Sequence, residues 1–501
     1  GTDSTAANNT AYGITALDAI TTGDYNTAIG NQSGTDLNTG QLNTFVGYYS
    51  GAKVTEGADN VLIGREAGAA ITSGDYNTLV GGSAGKAYDT ESHNTGLGYE
   101  ALRSGSLAGA EYNIAIGNYT LDAITSGDEN TAVGYQAGSS LTSANQCTLI
   151  GRKAGFAVQT ASNTTCVGNN AGAGITTGAR NTVLGNAALE TADTEADNLV
   201  IGFNTMNIAN GGAEYNVAIG NYAGDAITSA DFNTLVGYNA GSTIDSGGYN
   251  VFVGANAGMT HTNGGGNVNT AVGTNSLQAM TTGGQNTALG GNSGYSLTSG
   301  VDNVFVGHNT GDSVALGSYN TAVGKDALGA AQGDRYNVAV GFEALKVFNT
   351  GTSINDTANV AVGVQAGLRV NTGSACTLIG GEAGTNITSG SNNTCLGNGA
   401  GGSSSPSNVT TGSDNIVLGN NSISDAFIKV DWTVTSDKRD KTDVEALTMG
   451  LDFVNQLNPV TYRWDMRSDY DDATPDGTHK KQKLFSGLLA QDVETLERGY
   501  G

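Results

Sequence analysis

The chain has 501 residues and a formal net charge of −25, from 46 acidic and only 21 basic side chains. A nucleic-acid partner demands a basic footprint and is excluded; no apolar run approaches the roughly 20 residues that cross a bilayer, which excludes helical membrane insertion. The 77 glycines and 3 prolines mark a biased composition, but a strict period separates this sequence from a disordered low-complexity tract.

The chain opens at Gly1 without an initiator methionine, which we read as a processed product or a portion of a longer protein, with any attachment region upstream. From there a marker glycine returns at Gly13, Gly30, Gly47 and onward to Gly397 and Gly419, 24 times in all. Of the 23 intervals, 18 are 17 residues long and the rest are 18, 19, 19, 22 and 22, so every departure is an insertion. A fixed period with insertions is the signature of a solenoid. The insertions fall between Gly98 and Gly117, Gly202 and Gly220, Gly254 and Gly273, Gly341 and Gly363, and Gly397 and Gly419.

Each slot of the repeat has a physical role. Asn stands four residues before the marker in 21 of 24 coils, the exceptions being Cys147, Thr164 and Cys376, so that slot predicts an amide ladder. Ala, Ser or Thr three residues after the marker (Ser33, Ala67, Ala154, Ala240, Ala366) suits a tight inner corner, and the marker itself suits a positive-φ corner or close backbone approach. Between them the chain alternates. The Thr or Val slot (Thr27, Val61, Thr131) shares a face with the aliphatic slot before the marker, and the Asn slot shares the other with the residue between. Breakers such as "TTG" and "TSGD" exclude helix pairs. The fold class is therefore all-β: a β-solenoid (β-roll) of about 24 coils over residues 1–423, roughly 115 Å long at ~4.8 Å per coil.

If the aliphatic slot fills the interior, then Phe45, Leu62, Leu79, Leu149, Val183, Leu235, Phe252, Phe305 and Leu378, two before their markers, form a second apolar strip. Self-association would cover that strip; the alternative is a mixed solvent face. Tyr25, Tyr76, Tyr112, Tyr215, Tyr249, Tyr319 and Tyr336, each just before the Asn slot, either stack on sugars or cover the coil edge. Cys147 with Cys166, and Cys376 with Cys395, lie 19 apart in matching surroundings, as if a two-coil module were duplicated. Their offset of roughly 8 Å predicts buried free thiols rather than disulfides. His93, His261, His308 and His479 keep no ligand spacing with these thiols, so no metal or other cofactor is expected.

Near residue 424 the composition changes. Residues 1–423 hold 11 basic and 31 acidic residues, whereas 424–501 hold 10 and 15 and both tryptophans, Trp432 and Trp464. "FIKVDWTV" and "PVTYRW" read as strands. "DVEALTMGLDFVNQL" carries Val444, Leu447, Leu451, Val454 and Leu457 at helical spacing, with Asp443 near its start and Pro459 beyond its end, and "LLAQDVETLE" begins a second helix. A small α+β domain follows the shaft.

In order and spacing, "TSDKRDK", the helix, "LNPVTYRW" and "GLLAQDVE" resemble the C-terminal intramolecular chaperone domain of phage tail fibres and endosialidase-type tailspikes. The coil motif "NVAIGNYAG" is similar to the left-handed β-roll of trimeric autotransporter adhesin heads. The resemblance implies a homotrimer whose C-terminal domain guides shaft folding and then releases itself through a Ser–Lys dyad. Matched residue by residue, the dyad is Ser436 and Lys441, with the bond to Asp437 as the cut and Lys438 and Arg439 in support. A lysine of lowered pKa can take the serine proton. The bland reading of "SDKRDK" is a charged turn before a helix. The family domain continues past the equivalent of Gly501, so an incomplete releasing domain is expected.

Three functions follow. The first is a trimeric fibre, a phage tail fibre or another extracellular surface filament or adhesin, that binds a host glycan or protein receptor. The second is a glycan-depolymerising tailspike, which would need coils that break the pattern with Asp, Glu and Arg together; none stands out. The third is binding of a flat ice or mineral surface by Thr at the slot three before the marker, a ladder that should point inward.

Overall fold

The alternation that fixes the strands also fixes what each coil hides. The computed structural model describes residues 5–104, 109–262, 268–427, 442, 450–465 and 476–500, and divides the chain into two compact units, Gly1–Ser424 and Asp425–Gly501. In the first, 24 strands of three residues each, from Thr10–Tyr12 to Ile416–Leu418, form one parallel sheet. Register repeats without slip: Thr10 pairs with Thr27, Thr27 with Thr44, Thr321 with Val338 and Val338 with Val360, the last across an insertion. A separate two-stranded parallel ladder, Asp334–Arg335 with Asn355–Asp356, forms at that insertion.

The strands face the opposite way from the expectation. Phe45, Leu62, Leu79, Leu149, Val183, Leu235, Phe252, Phe305 and Leu378 are fully buried and are the core; the aliphatic slot points outward, with Ile29, Leu97 and Ile379 41%, 47% and 43% exposed. The Asn slot decides the direction. Asn26 to Asn393 are buried, and each amide serves the next coil: the Asn43 side chain donates to Asn26 Oδ1 at 3.0 Å and to the Gly57 carbonyl at 2.8 Å, while the Asn43 backbone N–H donates to the same Oδ1. Leaving such groups unpaired inside would cost more than turning a Val or Ile outward. The Thr column therefore also faces outward, against the expected inward ladder.

Both readings of the marker hold. Gly220 has φ +132°, and a Cβ there would lie 2.4 Å from the Gly237 carbonyl oxygen. The small slot is buried in all but the terminal coils, Ser33, Ala67, Ala154, Ala240 and Ala366 all being fully enclosed.

A coupling between two slots escapes column-by-column reading. Four residues after the marker the backbone is left-handed, occupied by Gly in some coils and by Leu or Met in others. Gly311 (φ +59°) faces the Phe305 ring, which a Cβ would meet at 2.7 Å. Leu328 takes the same slot where the inward strand residues on either side are Ala322 and Ala339, and Leu102 where they are Gly96 and Ala115. In these coils the bulk enters from one slot or the other, beside a further buried side chain such as Val54 or Val314 seven residues after the marker, each burial stabilising by roughly 1.5–3 kcal/mol.

The second unit is described in part. The helix Leu451–Gln456 lies within the stripe expected from 443 to 457, and Val444 and Leu447 fall outside the described residues. Val460–Tyr462 pairs antiparallel with Phe485–Gly487, a strand the sequence reading missed, and Ala490–Tyr500 is the second helix. Tyr462 packs edge-on to Trp464 at 5.4 Å and against Phe485 at 5.9 Å. The strand expected at "FIKVDWTV", with Trp432, lies largely outside the described residues.

Candidate functional site

Apart from the outward sheet face, the shaft offers chemistry at its edges and insertions. The residues just before the Asn slot form a column of positive-φ positions along one edge. Their rings stack on one another: Tyr76, His93 and Tyr112 at 5.0 and 4.8 Å, Tyr215, Phe232 and Tyr249 at 4.9 Å each, and Tyr319 with Tyr336 at 5.1 Å, all within 12° of parallel. Ring faces inside a stack are taken by neighbours, so these tyrosines cover the edge, and only the ends of stacks keep a face for anything else. Rings one and two residues past the marker pack edge to face between coils, as in Tyr99, Tyr119 and Tyr135.

Buried carboxylates mark three of the five insertions. Ten residues after the marker most coils carry Gly or Ala, but Glu91, Glu195 and Asp334 stand there, each in the coil just before an inserted one, and each at most 1% exposed. Glu195 accepts the Gly212 backbone N–H at 2.9 Å. Asp334 accepts both the hydroxyl and the backbone N–H of Thr350, and Asn355 donates to the Thr350 hydroxyl at 2.8 Å. Burial pushes the Asp334 carboxyl up, against the pull of the Thr350 hydrogen bonds. Glu195 and Asp334 clasp the inserted loops, whereas Glu91 accepts the Asp89 backbone N–H within its own coil. The signal was in the sequence, an acid at a glycine slot one coil ahead of three of the five insertions.

Acidic and basic side chains also meet across coils. Arg65, Glu66, Lys86, Glu100 and Arg103 line one open groove. Spread over three coils, they are brought together by the period of 17. Lys86 donates to Glu66 at 2.7 Å and Arg103 lies 3.3 Å from Glu100. The Lys86 hydrogen bond holds the Glu66 carboxyl below its ordinary range. A general acid for glycoside cleavage needs the opposite shift. The groove is an ion-pair network.

All four cysteines are buried and free. Burial pushes all four thiols up, Cys395 to about 11, so they stay protonated rather than becoming nucleophiles. Cys147 replaces a rung of the amide ladder, its thiol donating to the Ala161 carbonyl at 3.3 Å. Among the described residues no cluster suits a metal ion and no helix is long and apolar enough to cross a membrane. Ser436, Asp437, Lys438, Arg439 and Lys441 lie outside the described residues.

Comparison with known families supplies what geometry does not reach there. Residues 436–497 match the family model of the chaperone of endosialidase. A β-solenoid shaft followed by such a region fits a tail fibre with a C-terminal chaperone domain. The matched stretch contains the Val460–Tyr462 and Phe485–Gly487 hairpin and most of the last helix. No curated protein matches the chain.

Proposed function

We propose that this chain is one subunit of a homotrimeric phage tail fibre, whose shaft holds a receptor-binding surface for a host glycan or protein and whose C-terminal domain assists trimer folding. The observation that carries the reading is the outward aliphatic column. Some two dozen coils turn a Val, Ile or Leu away from a filled interior, a continuous apolar strip that a lone chain would leave in water. Two further copies cover it, and the chaperone match at the C-terminus supports a trimer. The setting is then a virion or another extracellular surface.

Ser436 and Lys441 are the proposed releasing dyad. Lys441, acting through the Ser436 hydroxyl, takes a proton from a water that adds to the Ser436 carbonyl, and the Asp437 nitrogen leaves with that proton, which frees the Ser436 carboxylate. Intact mass under native and denaturing conditions, with and without Ser436→Ala, tests both parts. Wild-type trimers whose denatured chains lose residues 437–501, against an uncut variant, support release. Uncut trimers in both make the domain a permanent trimerising unit, and monomers in both overturn the fibre.

A second reading draws on the outward Thr column, a regular array suited to an ice or mineral lattice. It requires that face to be open. Trimers that cover it remove the reading.

A further inference from the structure

The ring-bearing edge has one gap. Its column holds 24 residues from Asn8 to Asp414, and only at Ala358 and Ala375 does it shrink to a methyl group. Both alanines are exposed and follow Tyr336, the last ring of its stack. Beyond them Asn392 resumes the column, its amide donating to Asp414 at 2.7 Å. Two absent rungs at ~4.8 Å each leave a notch about 10 Å high. Its upper wall is the ring face of Tyr336 that no other ring covers, and the Ser374 and Ser391 hydroxyls, 3.3 Å apart, stand next in sequence to Ala375 and Asn392. The inserted loop borders it, because Asn355–Asp356 pairs with Asp334–Arg335 immediately before Ala358 and Tyr336. The Asp334–Thr350 clasp makes that border a built one.

We propose that this notch binds one ring of an uncharged saccharide, a terminal or branch residue stacked on Tyr336. The proposal rests on the receptor-binding reading above and names the ligand class and place. An uncovered aromatic face is electron-rich and suits the C–H face of a pyranose, while the serine hydroxyls and the Asn392 carbonyl suit its hydroxyls. A polyanionic glycan is disfavoured by a shaft with 31 acidic and 11 basic residues.

The test is ligand-observed NMR titration of the full chain with methyl glycosides of glucose, galactose, mannose and N-acetylglucosamine, beside glucuronate and N-acetylneuraminate. At least one neutral glycoside should bind. Tyr336→Ala should weaken it at least tenfold, and Ala358→Tyr should do the same by filling the notch. The latter extends a ring stack as His93 and Tyr112 extend that of Tyr76, so the coil stays folded; Tyr25→Ala should change nothing. Binding of acidic sugars alone, no binding at millimolar concentration, or binding that survives Ala358→Tyr overturns the notch. Native mass and attachment to host cells read the parent reading separately. Attached trimers with an inert notch leave adhesion standing and sink only this site.

Discussion

The coils around Phe305 and those around Leu102 meet the same packing demand from opposite sides. Around Phe305 the ring enters from the strand, and Gly294 and Gly311 clear space at the corner; around Leu102 the strand contributes Gly96 and Ala115 and the corner supplies the bulk. In both cases one slot supplies the bulk that the other lacks. A left-handed leucine costs roughly 1–2 kcal/mol of backbone strain, comparable with what its burial returns, so neither solution dominates and both persist along one shaft.

The exchange can be broken and then restored. Phe305→Ala should destabilise its coils by about 3–5 kcal/mol through the cavity it leaves. Adding Gly311→Leu recreates the arrangement of Leu328 between Ala322 and Ala339, and should recover about half, a coupling within the ~0.5–3 kcal/mol seen between touching residues. Hydrogen exchange over 300–325 measures both; a double variant no better than the single would sink the exchange. Gly311→Ala alone, with its Cβ 2.7 Å from the Phe305 ring, should cost about 1–3 kcal/mol by overpacking.

Smaller effects sharpen the contrast between regular and interrupted rungs. Cys147→Asn supplies the missing side-chain oxygen to the Thr164 backbone N–H and should stabilise by about 1 kcal/mol, read as slower exchange there. At the clasp the direction is set by charge. Burial raises the Asp334 carboxyl, so the folded loop holds its proton more tightly than the unfolded chain. That contribution is present below the ordinary Asp pKa and lost as pH rises through the raised value. Opening of 349–356 should therefore be harder at about pH 4 than at pH 7, and Asp334→Asn should abolish the difference.

Periodicity made the solenoid legible, because a glycine in every coil, with an Asn and a small residue in nearly all of them, demands turns that stack in equivalent positions. The direction of the strand faces was not. Val and Ile in one slot and Leu and Phe in the next are both apolar, and only the amide ladder, a contact between coils, shows which goes inside. The groove of Arg65, Glu66, Glu100 and Arg103 was hidden for a related reason: neighbours across coils are 17 or more residues apart. The hairpin partner Phe485–Gly487 carries no strand pattern of its own and is fixed by pairing with Val460–Tyr462. Ser436 and Lys441 were legible only through resemblance.

Because each rung meets the next through the same Asn, Gly and Thr contacts, the shaft can gain or lose a coil without inventing a single new interaction. The twin cysteine segments, "CTLIGRKAG" and "CTLIGGEAG", look like such a copying event preserved in the sequence. Reach then becomes a heritable quantity that changes in whole steps of about 4.8 Å. Unequal recombination between coils could retune how far the shaft extends while its fold is left untouched.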